Sequence, residues 1–92
     1  GLTVVVNEDQ KMVGVFTDGD LRRVLDQGID IHATLVKDVM THHAVTCSAS
    51  MLAKLALDTM KKNRITALVI TNIRGEPIGV AHLHDLLQLE RP

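Results

Sequence analysis

Two short patterns carry the polar groups best suited to chemistry in this sequence. Thr17-x-x-Asp20 lies at the joint between an apolar run ending at Phe16 and a helix pattern beginning near Gly19. His82-x-x-Asp85 lies at a matching joint near the other end. A carboxylate accepts hydroxyl hydrogens, and charge assistance strengthens such bonds. A threonine hydroxyl beside the free N–H groups of a helix start holds a phosphate. The same spacing also describes a capping box, in which the hydroxyl bonds a helix N–H and the acid reaches back. Both readings stand for Thr17 and Asp20. Histidine is a poor helix cap, so an acid retained at Asp85 behind His82 leans toward a ligand role.

The remaining polar candidates are weaker. His42, His43 and His84 join His82 as imidazoles, but no Asp or Cys is spaced with them as a ligand set. They read as solvated loop residues, and no metal is assigned. Arg22 and Arg23 fall on the first turns of a helix, where such pairs usually face water. Cys47 is the single cysteine. It has no neighbouring base to form a thiolate, and it reads as a small buried group that suits a reducing, cytoplasmic setting. No nucleophile–base pair or phosphate loop is evident, so independent catalysis is not expected.

Composition narrows the partners. The 92 residues are 46% hydrophobic and 23% charged with a net charge of -1, and they include one Phe but no Trp or Tyr. Nucleic-acid binding needs clustered cations or aromatic platforms, and this chain has neither. No apolar run reaches membrane-spanning length. A chain this short buries a modest share of its surface, which makes a homo-oligomer the expected state.

These residues are positioned by an internal repeat. Shifting the sequence by 65 residues lays VVVNEDQKMVGVFTDGDL (4–21) over VITNIRGEPIGVAHLHDL (69–86), with Val4/Val69, Asn7/Asn72, Gly14/Gly79, Val15/Val80, Asp20/Asp85 and Leu21/Leu86 identical. Each copy predicts an apolar strand, a polar turn, a second strand and a helix opened by an acid. The strands are expected at 3–6, 12–16, 67–71 and 78–81, and the helices at 19–27 and 83–89. Gly28 is the expected stop of the first helix. Ahead of the second hairpin, a short strand is expected at 44–46. An amphipathic helix then follows, capped by Ser48 or Ser50 and ended by Asn63. Leu52, Leu55, Ala56, Thr59 and Met60 form its expected buried face. Met51 and Met60 read as core filling.

The second copy is thus a complete β-α-β-β-α unit, whereas the first is truncated to β-β-α. The fold class is α/β (α+β). The division is 1–30 for the back half of a first motif, 31–37 for a linker and 38–92 for a complete second motif. The first sheet should therefore have an uncovered apolar face, and upstream sequence is expected to complete the module.

DVMT (38–41), AVTCSAS, NRITALVIT and GVAHLHDLL resemble one cystathionine-β-synthase (CBS) motif, and LTVVVNEDQKMVGVFTDGDL resembles the back half of another. Such motifs pack in tandem as a Bateman module. More narrowly, VGVFTDGDLRRVLDQGIDI with KDVMT and GVAHLHDLL resembles the C-terminal CBS pair of the D-arabinose 5-phosphate isomerases of lipopolysaccharide sugar synthesis. In that family an N-terminal SIS (sugar isomerase) domain, which nothing here resembles, interconverts D-arabinose 5-phosphate and D-ribulose 5-phosphate. The resemblance implies a regulatory, non-catalytic piece whose partners are its SIS domain and a small effector. It implies an inter-motif cleft lined by Thr17, Asp20, Thr41, Val45, Thr46, Ile65, Thr66, Ala67, His82 and Asp85. No cofactor is required, and the expected effector is an AMP- or ATP-type nucleotide or a CMP-activated sugar such as that of Kdo. The alternative is a structural or dimerisation module without a small ligand.

Overall fold

In the computed structural model, which describes residues 1–89, the chain runs β1 (Leu2–Val6), β2 (Met12–Thr17), α1 (Asp18–Asp26), a 3-10 turn (Val36–Asp38), β3 (Thr46–Ser48), α2 (Ala53–Asn63), β4 (Ala67–Thr71), β5 (Pro77–His82) and α3 (Leu83–Gln88). It forms two compact units, Gly1–Ala44 and a second beginning at Val45. The expected end of the second motif, 90–92, lies outside the described residues.

Each unit is organised by a hairpin whose turn is closed by an asparagine. The Asn7 side-chain oxygen accepts the N–H groups of Asp9 (2.9 Å) and Lys11 (3.1 Å). The Asn72 oxygen accepts those of Arg74 (2.9 Å) and Glu76 (3.0 Å). This is the local bonding that makes asparagine a turn residue. The fourth turn residue is left-handed in both copies, Gln10 at φ 65 and Gly75 at φ 80. The ladder slips at the equivalent step, Val5/Val6 and Ile70/Thr71. The repeat is therefore one of register and turn conformation as well as residue type.

In the first unit β1 and β2 form a two-stranded sheet, and α1 ends in a Schellman arrangement at Gly28 (φ 69). Gly28 N–H bonds Leu25 O and Ile29 N–H bonds Val24 O, both at 3.1 Å. Val15, Val24 and Met40 are its buried apolar residues. Gly14 is required by close approach, because a Cβ there would lie 2.7 Å from both the Met40 sulfur and the Thr41 carbonyl oxygen. Leu21 and Leu25 on α1 are exposed.

The second unit adds β3, parallel to β4, to give the order β3-β4-β5. Its core joins Cys47, Ala56, Met60 and Leu68, with Val45, Met51, Ile65, Ile70, Ala81, Leu83 and Leu86 packed around it. Met60 and Leu68 are wholly buried, and complete burial of such side chains contributes about 1.5–3 kcal/mol each.

Three expectations for this unit need correction. The short strand is Thr46–Ser48 rather than 44–46, because pairing Cys47 with Ile70 turns the thiol into the core. With Ser48 extended and Ser50 in the turn that follows, neither serine caps α2. The helix starts at Ala53 behind Leu52 and has no side-chain cap. Its buried face is Ala56, Leu57 and Met60, and Leu52 and Leu55 are 76% and 53% exposed. Leucines at 52, 55 and 57 satisfy helical spacing on two adjacent stripes, and the stripe that is buried is the one containing Leu57.

Asn63 is the last helical residue, but the left-handed position that ends α2 belongs to Arg64 at φ 55. Ile65 N–H then bonds Met60 O at 3.0 Å, the hallmark of the same Schellman closure. A left-handed non-glycine residue costs about 1–2 kcal/mol. Arg64→Gly is therefore expected to raise unfolding stability by about 1 kcal/mol and Arg64→Val to lower it. Urea midpoints at unchanged slope test both, and a lower midpoint for the glycine variant refutes the assignment of strain.

Candidate functional site

The acid of the first repeat is buried at a junction of three backbone segments. Thr17 ends β2 and caps α1, its hydroxyl accepting the Asp20 N–H at 3.1 Å. Asp20 returns the bond, accepting the Thr17 N–H at 2.9 Å and lying 3.1 Å from the Thr17 hydroxyl. The capping box is thus formed in full.

Two further groups reach the same carboxylate. The Thr41 hydroxyl lies 3.1 and 3.2 Å from its two oxygens. Arg23 donates to it at 3.0 Å and with its other terminal nitrogen to the Val39 carbonyl at 2.6 Å. Thr41 in turn exchanges backbone bonds with Val15, N–H to O at 2.8 Å and O from N–H at 3.0 Å. Asp20 is 4% exposed. The donors around it match the roughly four lone-pair sites of a carboxylate.

Burial pushes the Asp20 carboxyl up, but bonds from the Thr17 backbone, Thr41, the Thr17 hydroxyl and Arg23 outweigh it and hold the group below its ordinary value. Arg23 was not recognisable as a fastening residue in the sequence. The available signal was its i, i+3 spacing from Asp20, a pairing distance on a helix.

The counterpart joint in the second unit is open. His82 occupies the cap position of α3 without a side-chain cap bond. Asp85 and His82 are exposed, and among the described residues no hydrogen bond engages the Asp85 side chain. The joint is fixed by backbone instead, with Leu83 N–H donating to Thr66 O at 2.8 Å and Ala67 opposite His82 in the ladder. Thr46 stands opposite Val69 in the parallel pair. Val45, Thr46, Ile65, Thr66, Ala67, His82 and Asp85 therefore gather at one end of the β3-β4-β5 sheet, whereas Thr17, Asp20 and Thr41 gather in the first unit.

His42 and His43 are exposed in the first unit, and His84 pairs with Gln88 at 2.9 Å on α3. Among the described residues no set of three or more His, Cys, Asp or Glu side chains is placed to hold a metal ion. Cys47 is buried, and burial pushes its thiol up, away from thiolate chemistry. No helix among the described residues is long and apolar enough to cross a membrane.

Two hairpin–helix units repeated in one chain define a tandem-motif module, and the chain belongs to the CBS domain family. The family model matches residues 1–27 and 36–91, a tandem arrangement. The chain is similar to the arabinose 5-phosphate isomerase KdsD of Pseudomonas aeruginosa, with 48% identity over 88 residues that cover 96% of this chain and 27% of that protein. It therefore spans about a quarter of the length of that relative.

Among solved structures, a CBS domain pair in complex with 5'-methylthioadenosine and S-adenosyl-L-methionine matches with a TM-score of 0.83 and 20% identity, over 96% of this chain and 71% of that one. A CBS domain protein from Pyrobaculum aerophilum complexed with AMP matches with a TM-score of 0.83 and 24% identity, over 92% of this chain and 65% of that one. At these identities the likeness establishes the fold.

The depressed Asp20 carboxyl makes the first unit acid-sensitive in a defined direction. Its contribution is complete above the unfolded Asp value of about 3.9 and is lost as pH falls through the lower folded value. Asp20→Asn is expected to destabilise by about 1–3 kcal/mol at neutral pH and to flatten the acid limb of the stability profile. Denaturant unfolding across that range checks both, and an unchanged acid limb would show that Asp20 is not the linked group.

Proposed function

We propose that this chain is the effector-sensing module of an arabinose 5-phosphate isomerase and has no catalytic activity of its own. An adenosine-type nucleotide or a CMP-activated sugar binds it and biases the attached SIS domain through a difference in affinity between two states. In this reading residues 1–30 are the back half of the first motif, 31–37 the linker and 38 onward the second motif. The parent protein is a cytoplasmic homo-oligomer.

The observation that carries the reading is the contrast between the two equivalent acids. Asp20 is saturated by Thr17, Thr41 and Arg23, whereas Asp85 is exposed and unengaged among the described residues. Asp85 is therefore the acid free to take a ribose diol, with the His82 imidazole beside it as a donor to sugar or phosphate oxygen. Thr46, Thr66 and the backbone of Val45, Ile65 and Ala67 supply the surrounding wall. Ligand contact at Thr17, Asp20 or Thr41 requires Thr41 to yield its bond to the carboxylate. Binding there would loosen the segment that Asp20 fastens. The CBS domain protein complexed with AMP and the CBS domain pair complexed with 5'-methylthioadenosine and S-adenosyl-L-methionine support the ligand class.

The second reading, a structural module that mediates dimerisation, is favoured by the bare Leu52 and Leu55 on α2. A thermal-shift panel of AMP, ATP and CMP-sugars on the intact isomerase separates the two. A true effector at about 100 Kd adds about 2.7 kcal/mol of apparent stability. Asp85→Ala abolishes that increment and leaves the unliganded melting temperature unchanged. A flat response to every compound gives the function to the structural reading.

A further inference from the structure

The internal repeat exposes an unmatched place on the second sheet. In the first unit, β2 is covered on its outer edge by the segment Met40–Thr41. Val15 exchanges both backbone bonds with Thr41, and the Met40 side chain lies over Gly14. Val15 uses both its N–H and its C=O outward, so its pair with Val4 across the hairpin is the non-bonded kind. Val69 and Val80 hold the same register. The Val80 N–H and C=O therefore point away from β4, along the free edge of the sheet, where β5 is the terminal strand. Among the described residues nothing bonds them.

Exposure changes in step. Val15 is 5% exposed and Val80 is 36%. Gly14 is buried, whereas Gly79 is half-buried, and a Cβ added there would meet only the Ile70 Cδ1, at 3.6 Å. Such an edge is a ready template for another strand, and stable proteins cover it.

We propose that the edge of β5 at Val80 is the docking site of an extended segment of the parent polypeptide lying outside these 92 residues. That segment seats a methionine- or leucine-like side chain on Gly79 and exchanges two backbone bonds with Val80. Relatives whose length is nearly four times that of the matched region have ample chain to supply it. The first unit shows the seat filled by the chain's own residues. The inference does not depend on the ligand reading.

Residue-resolved amide exchange tests it on the full-length protein and on the 92-residue chain. The Val80 amide is expected to exchange about tenfold or more slowly in the full-length protein, while Val15 is protected in both. Gly79→Ala adds a Cβ that the 92-residue chain accommodates, at 3.6 Å from its nearest neighbour. That variant is expected to speed Val80 exchange in the full-length protein alone. Gly14→Ala, which places a Cβ against the Thr41 carbonyl, should speed Val15 exchange in both. Equal Val80 rates in the two proteins overturn the proposal. Protection of Val80 in the 92-residue chain that grows with concentration also overturns it and gives the edge to a second copy.

Discussion

One buried carboxylate holds the first unit together. Asp20 closes the start of α1, joins it to the end of β2 through Thr17, and fastens Thr41 and, through Arg23, Val39. Without it the hydroxyls and the guanidinium would lose a common acceptor, and Met40 would rest on Gly14 held by the Val15–Thr41 bridge and its own backbone bond to Val36. A unit with so few buried apolar residues relies on this kind of polar convergence, since its two-stranded sheet cannot enclose a core by itself.

The second unit is stabilised differently. Its third strand and α2 enclose Cys47, Ala56, Met60 and Leu68, so apolar burial replaces the charged clasp. The acid at the equivalent joint is thereby released from structural duty. The same residue type at the same place in the repeat is a fastener in one unit and an open acceptor in the other. What decides the difference is whether a threonine and an arginine are supplied to it. His82 and Gln88 stand where Thr17 and Arg23 stand in the first copy.

Much of this organisation was legible in the sequence because it rests on local chemistry. Asn7 and Asn72 mark turns through their own side chains, Gly28 marks a helix stop, and apolar runs flanking polar turns locate both hairpins. The capping box at Thr17 and Asp20 was readable from spacing alone. Long-range choices were not. The register of β3 against β4 displaced the short strand and removed Ser48 from capping, and packing chose Leu57 over Leu55. Thr41 meets Asp20 across 21 positions, a contact that periodicity cannot reveal.

The asparagine-closed turns have a practical side. Because the closing bonds run from one amide oxygen to the backbone, the residue at the tip contributes nothing to closure. It is Glu8 in one loop and a fully solvent-bathed Ile73 in the other. Position 73 is thus a handle: a fluorophore or an affinity tag attached there leaves the underlying scaffold untouched and reports on the surface from outside it.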